Sequence, residues 1–436
     1  LRIPANLDPT NPDGAAAPFT DFTSVTADTP LAALNLNWRE RDLPERERTK
    51  HVHRLHPYLG KFIPQLAEIF LRKFGPDTVC DPFVGSGTTL IEANALGIAS
   101  IGVDISPFNC LIAKAKTDRY DLPRLAEEIR DILARTHGLC YEDEGIARAS
   151  SSTPLPLRER PGEGETQPVV SPPSSEAPAG SYLLDWYHPQ ARAALLAFLG
   201  LIPNYHYQDL LKVILCRAAR SARLAPHFEL DFPRAPQRQP YYCHKHKRVC
   251  PPTTDAMKFL RRYALDTLRR VAQFAAVRTD APVTILCADS RQSVLPAFDM
   301  ILTSPPYVGL IDYHEQHRYA YELLSLLDEP FASTGWQGSN LNHNEEREIG
   351  AARKGKSMTA RRRYIEGIEE ALGNVARQLR PGGRACIIVG DRYGLYEGLA
   401  GRLGFREETA LQRNVNRRTG RRAGEFYESI LVWRRE

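Results

Sequence analysis

The stretch from Thr78 to Thr89, Thr-Val-Cys-Asp-Pro-Phe-Val-Gly-Ser-Gly-Thr-Thr, constrains this 436-residue chain more than any other. A short β-prone run ends in a carboxylate, a turn with two glycines follows, and two threonines open a helical pattern. Gly85 and Gly87 let the backbone come close to a ligand, because a side chain there would collide. The free amides at the start of the next helix favour negative charge. The lysine of a G-x-x-x-x-G-K-[ST] loop is missing, which disfavours a phosphate-binding P-loop. On the loop alone, a nucleotide or dinucleotide turn and a purely structural tight turn both remain open.

The flanking pattern alternates. Apolar spacing predicts a helix over Pro64–Lys73, then a strand at Thr78–Cys80, a helix over Thr89–Leu96, a strand over Ala99–Val103 and a helix over Leu125–Ala134. The same rhythm resumes with strands at Val283–Cys287 and Asp299–Leu302, a helix over Tyr364–Leu379, a turn at Arg380-Pro-Gly-Gly383, and strands at Ala385–Val389 and Glu428–Trp433. Strand and helix in quick succession argue for an α/β fold with a mainly parallel sheet covered on both faces. Five stretches follow: an N-terminal arm (1–50) with little core of its own, a first part of the core (51–140), a flexible Pro/Ser/Gly-rich linker (141–180), a largely helical insertion (181–280) and a second part of the core (281–436). Hydrophobic residues make up 42% of the chain, enough for a real core, and exclude a disordered or fibrous protein. The eight cysteines lack paired spacing, and no apolar run approaches the ~18 residues of a membrane span. A reduced, cytoplasmic protein without a membrane association is expected.

Three acids end three expected strands: Asp81, Asp104 in Gly-Val-Asp-Ile-Ser, and Asp289 in Cys-Ala-Asp-Ser. In order, they would line the carboxyl edge of one sheet, where open α/β folds bind ligands. Asp104 at a second strand can accept from ribose hydroxyls, or merely cap the next helix. After the strand at Asp299–Leu302 comes Thr303-Ser-Pro-Pro-Tyr307. Two prolines fix this corner, and Ser304 Oγ with the Pro305 carbonyl can accept hydrogen bonds from an exocyclic amine, leaving Tyr307 to stack on a flat ring.

The loop and the Ser-Pro-Pro-Tyr corner together resemble the DNA amino-methyltransferases, which modify cytosine N4 or adenine N6. The resemblance covers most of residues 51–120 and 281–436. It implies a Rossmann-like fold with a seven-stranded sheet and S-adenosylmethionine as cofactor. Asp81, Pro82, Phe83, Gly85, Ser86, Gly87, Thr88 and Thr89 would then hold its methionine portion. Asp104 with Ile105 and Ser106 would hold the ribose, and Asp289 with Ser290 the adenine edge. His56-Pro-Tyr-Leu-Gly-Lys-Phe-Ile-Pro64 resembles the segment that closes over the methionine end, so Tyr58, Lys61 and Phe62 are included. Catalysis falls to Ser304, Pro305, Pro306 and Tyr307, and serine at the head of this tetrapeptide points to cytosine N4. Duplex DNA is the implied partner, with a cognate restriction endonuclease where the enzyme serves a restriction system. Rival readings are an adenine-N6 enzyme, an RNA base N-methyltransferase and a silent DNA-binding relative. Asp312, Tyr313 and Arg318, just past the corner, are equally plausible as target-strand contacts or as structural residues. The large insertion lies between the second and third cofactor-binding strands, which departs from relatives whose recognition region lies near the catalytic loop.

Between Lys212 and Arg278 there are fifteen Lys or Arg against four Asp or Glu. Such an excess, interleaved with aromatics and histidines, suits phosphate contacts. Arg217, Arg220, Arg223, Lys245, Lys247 and Arg248 are the expected anchors. A second basic cluster spans Arg353 to Lys356 and Arg361 to Arg363. Cys243-His-Lys-His246 with Cys250 offers metal-capable ligands, but closely paired ligands at two places are missing, and no metal is expected.

Overall fold

In strand β1 (Thr78–Asp81), Val79 and Cys80 are both fully buried but enter different cores, one on each face of a sheet. The computed structural model describes residues 19–38, 41–141, 182–326, 347–351, 355–415 and 427–436. The further strands are β2 (Ala99–Asp104), β3 (Tyr241–Cys243), β4 (Arg248–Cys250), β5 (Val283–Cys287), β6 (Phe298–Thr303), β7 (Leu379–Val389), β8 (Phe405–Asn414) and β9 (Tyr427–Arg435). Seven of these form one sheet in the order β5-β2-β1-β6-β7-β9-β8. Pairings from β5 through β7 are parallel, and β9 runs antiparallel to both neighbours. This is the Rossmann-like methyltransferase sheet the resemblance implied, and the strand order reverses between β1 and β6.

Contacts divide the chain into two units, one comprising residues 1–120, 269–321 and 328–436, the other 121–268 with 322–327. In the first unit the strands alternate between two layers. Val79, Met300, Leu302, Cys386 and Ile388 pack on the helix Pro64–Phe74, while Cys80, Ile301, Ala385, Ile387 and Val389 pack on the helix Met358–Ala376. Strands buried on both faces are what a parallel sheet requires. The N-terminal segment departs from the expected bare arm, because Val25, Leu34, Leu36, Trp38 and Leu43 are buried in the first of these cores. Strand β8 and the helix Pro107–Thr117 were not expected, and the Arg380-Pro-Gly-Gly383 turn is absorbed into a longer β7 with a register shift against β6.

The second unit contains the helices Leu122–Tyr141, Pro189–Leu201 and Gln208–Ala222. The expected boundary at 181 therefore moves back to 121, because the helix Leu122–Tyr141 packs on Pro189–Leu201. Residues 142–181, nearly all of the expected linker, lie outside the described residues. The unit is not purely helical, since β3 and β4 pair as an antiparallel hairpin. All eight cysteines are free, and no helix among the described residues is long and apolar enough to cross a membrane.

Gly102 in β2 is where the sheet meets the glycine loop. A Cβ there would stand 2.7 Å from Val84 Cγ2 and 2.8 Å from Leu90 Cδ2. Gly102→Ala should destabilise the protein by about 1–3 kcal/mol through overpacking, and denaturant unfolding would read this as a lower midpoint with an unchanged slope.

Candidate active site

The strand order sets out the acids. With β5, β2 and β1 adjacent and parallel, their carboxyl ends present Asp289, Asp104 and Asp81 in spatial sequence, and β6 adds Ser304 next in line. Ligands of open α/β sheets bind at such an edge, where the strand order reverses.

Asp81 is buried and receives three donors. Phe83 N and Thr303 Oγ1 reach Oδ1 at 3.1 and 2.6 Å, and Thr89 Oγ1 reaches Oδ2 at 2.8 Å. Burial pushes its pKa up to about 6 despite the hydrogen bonds that lower it. Asp104 accepts from Gly85 N at 2.9 Å, from Ser106 N at 2.8 Å and from Asn109 Nδ2 at 3.2 Å, and burial raises its pKa as well. At Asp289, partial burial works upward, but the Arg291 guanidinium and backbone amide outweigh it and hold the carboxyl below its ordinary value. Gly85 and Gly87 both have positive φ, at 47° and 82°. A Cβ on Gly85 would come within 2.9 Å of the Tyr58 hydroxyl, so glycine is required by both conformation and space.

One cleft collects most of the expected residues. Tyr58, Pro82, Phe83, Gly85, Asp104, Ile105, Ser106, Asp289, Ser290, Ser304 and Pro306 line it. It holds about 660 Å³ counting the part open to solvent, within the ~300–1,000 Å³ typical of ligand pockets. Asp81, Ser86, Thr88 and Thr89 lie buried beneath the loop as its support, with Gly87 as the turn that starts the helix Thr88–Ala95. Lys116 Nζ donates to Ser86 O at 2.8 Å from full burial, which pushes its pKa well down.

Two cofactor assignments move away from the cleft. Lys61 Nζ donates to His53 O at 2.8 Å, and Phe62 is buried in the core under the helix Pro64–Phe74. Sequence reasoning missed Asn109, Arg347, Glu348 and Ile349 as cleft walls, and Tyr313, to which the sequence assigns either a target-strand contact or a structural role, is one too. Tyr313 stacks on Tyr58 with ring centroids 5.5 Å apart. Asp312 caps the following helix by accepting from Glu315 N at 3.0 Å. Glu348 is held by His314, whose imidazole Nδ1 lies 3.2 Å from Glu348 Oε1 and whose pKa burial pushes down to about 3. At the corner, Pro305 is buried, and among the described residues Ser304 Oγ has no hydrogen-bond partner of good geometry, though it lies near enough to Tyr307 to favour that phenol's charged form. Tyr307 is not among the cleft walls, and its hydroxyl donates to Glu428 Oε1 at 3.2 Å.

The basic helix residues are also placed differently from expectation. Arg217 pairs with Asp266 at 2.8 Å and lies over the Tyr263 ring, Arg220 pairs with Asp231, and Arg223 is fully buried against Tyr182 and the Leu230 carbonyl. All three are engaged by partners within the second unit. Lys245, Lys247 and Arg248 are exposed. Arg353 lies outside the described residues.

A mostly parallel seven-stranded sheet with acids at three neighbouring strand ends, a glycine loop and a proline-fixed polar corner defines an S-adenosylmethionine-dependent methyltransferase. The DNA methylase family profile matches residues 61–115, which include the loop and β2. The chain is 35% identical to the type II methyltransferase M.MjaII of Methanocaldococcus jannaschii, over 90% of this chain and 82% of that one. It is 39% identical to the type II methyltransferase M.MvaI of Kocuria varians over 23% of this chain and 21% of that one. The chain belongs to the family of DNA amino-methyltransferases, and S-adenosylmethionine is its cofactor.

Because the folded pKa of Asp81 is raised from 3.8 to about 6, its contribution to stability is fully present below the lower value and lost as pH rises through the upper one. Asp81→Asn should therefore remove a cost of roughly 3 kcal/mol at neutral pH, at ~1.4 kcal/mol per unit. Thermal melts of the cofactor-free protein through the region around pH 6 would show the gap between variant and parent opening with pH. A constant gap would show that Asp81 is ionised throughout.

Proposed function

We propose that this enzyme methylates the exocyclic N4 of cytosine in duplex DNA, on a base turned out of the helix into the cleft. The observation that carries the proposal is Ser304, a residue of the cleft wall whose buried Oγ has no hydrogen-bond partner of good geometry among the described residues. A hydroxyl can accept from an amine and also donate to the neighbouring ring nitrogen, a pattern that cytosine and adenine both present. Serine at this place in the family tetrapeptide points to cytosine.

The chain's acids fit a cofactor that carries positive charge. Asp81 is buried with only neutral donors and a pKa near 6, so a cation beside it would relieve its cost. Asp104, with three donors on its two oxygens, has about one acceptor site left for a ribose hydroxyl, and Asp289 stands at the β5 end for the adenine edge. S-adenosylmethionine supplies the electrophilic methyl group. Ser304 Oγ and the Pro305 carbonyl orient the amine so that its lone pair faces that methyl. Methyl transfer to the amine would leave its nitrogen cationic and acidic, so the extra proton would pass to water. Positioning and carbonyl dipoles facing the developing positive charge carry the rate enhancement, with no strong base required. Tyr307, anchored by Glu428, supports the corner from outside the cleft walls.

Incubation with labelled S-adenosylmethionine and mixed-sequence duplex DNA, followed by nucleoside mass spectrometry, should yield N4-methylcytosine. N6-methyladenine would overturn the assignment of the base while leaving the cofactor site intact. A product on RNA alone would move the substrate class.

For the DNA backbone, the exposed Lys245, Lys247 and Arg248 replace the buried helix arginines as anchors. Neutralising all three should weaken duplex binding and lower the log–log salt slope by up to ~0.9 per lost phosphate contact, measured by fluorescence anisotropy at several salt concentrations. An unchanged slope would place the phosphate contacts elsewhere. A cognate restriction endonuclease acting at the same site in the same system would complete the pairing that type II relatives imply.

A further inference from the structure

Residues 223–256 lie between two helices of the chain and have little to hold them together. Their regular structure is limited to β3 and β4, three residues each. Phe228, Phe232, Tyr242 and Val249 are exposed, and the hairpin buries chiefly Cys243 and Cys250. An isolated two-stranded hairpin is marginal in water, so another source of cohesion is needed here.

The hairpin brings its two cysteines together. Cys243 is registered with Arg248, so Cys250, two positions further along β4, faces the same side as a diagonal neighbour. The turn between them folds back through His246 N donating to Cys243 O at 3.1 Å, and Lys247 adopts φ 53°, an uncommon conformation for a non-glycine residue. This turn aims His246 Nδ1 at Cys250 Sγ, 3.4 Å away. A fourth group arrives from upstream. His227 N donates to the Tyr241 hydroxyl at 3.0 Å, and the His227 ring lies 4.7 Å from that of His246. His227 Nδ1 is buried without a hydrogen-bond partner among the described residues.

One donor atom from each of His227, Cys243, His246 and Cys250 lies within 4.8 Å of the other three. Tetrahedral zinc with Zn–S of ~2.3 Å and Zn–N of ~2.0–2.1 Å sets its donors some 3.3–3.8 Å apart. The cluster therefore needs a contraction of roughly 1.5 Å or less at its widest edge. We propose that these four side chains bind one structural zinc ion, closed to further ligands. Both thiols release their protons on binding, and the two thiolates neutralise the divalent charge. The sequence reading set a metal aside because Cys243-x-x-His246 with Cys250 lacks a second close pair. The missing ligand is His227, which only the folded loop brings near. A second group, His51, His53 and Glu92, is less suited, since Glu92 already takes Lys50 Nζ and His53 Nε2 at 2.7 Å each.

The zinc would fasten the loop carrying His227 to the hairpin carrying Lys245, Lys247 and Arg248, giving those cations a fixed arrangement. The test uses the full chain, purified with zinc in the medium and dialysed against a weak chelator. Elemental analysis should find one zinc per chain, and cobalt exchange should give the absorption of a tetrahedral ion with thiolate charge transfer. Cys243→Ser with Cys250→Ser should lose the metal, whereas Cys140→Ser with Cys287→Ser should keep it. A folded parent protein that holds no stoichiometric zinc and takes up no cobalt would overturn the site. So would a cobalt spectrum without thiolate bands, or zinc retained in the Cys243/Cys250 variant. These readouts are independent of methyl transfer, so failure of the proposed base specificity would leave them unaffected.

Discussion

Three segments of chain converge on the buried carboxylate of Asp81. Phe83 belongs to the loop, Thr89 to the helix that follows it, and Thr303 to the end of β6 more than two hundred residues later. Thr89 Oγ1 also reaches the Leu302 carbonyl at 3.0 Å, so the start of the helix is tied directly to β6. Through these bonds the glycine loop and the Ser304 corner share one register, although they are distant in sequence. The arrangement carries a cost, because the charge is desolvated and no cation of the chain stands among its hydrogen-bond partners. Burying a charge is tolerated where a function draws on it, and a cationic cofactor at this edge is the ligand that would offset it.

The features that sequence reasoning placed correctly are those with a local cause. Strand β1, the glycine turn and the helix at Thr88 are written in adjacent residues, and the order of the three acids follows once the strands are parallel. Val25, Leu34, Leu36 and Trp38 were missed as core because the strand-like alternation Leu34-Asn-Leu36-Asn-Trp38 is short and set in a polar segment rich in Pro and Asp, and they are buried against the helix Pro64–Phe74 and the sheet. Arg347, Glu348 and Ile349 reach the cleft from a segment with no motif of its own. Lys61 illustrates the opposite error. Its neighbours match the family pattern, yet its amine turns to the His53 carbonyl, and burial together with Arg54 and Arg270 pushes its pKa down to about 8.

The same distinction explains the insertion's charge. Arg217, Arg220 and Arg223 recur every three residues, which reads as a basic stripe on a helix. In the fold, the helix Gln208–Ala222 is buried around nearly its whole circumference. A helix in that position must neutralise its cations internally, and Asp266, Asp231 and the Leu230 carbonyl do so. Removing one partner of such a pair leaves an uncompensated buried charge, so substitutions there would report on folding before binding.

Cations remain exposed where the fold has least to bury, on the β3–β4 hairpin. A surface that must touch a polyanion benefits from such a place, since exposed charge is neither desolvated nor already paired. The difficulty is rigidity. Ordering long cationic side chains on a hairpin without a core costs entropy at the moment of binding. A metal held by His227, Cys243, His246 and Cys250 resolves this by replacing apolar burial with coordination bonds. The hairpin is then ordered before DNA arrives, and its outer face stays free for charge. On this view the two thiols and the three exposed cations are parts of one device, the buried thiols setting its shape and the exposed cations using it.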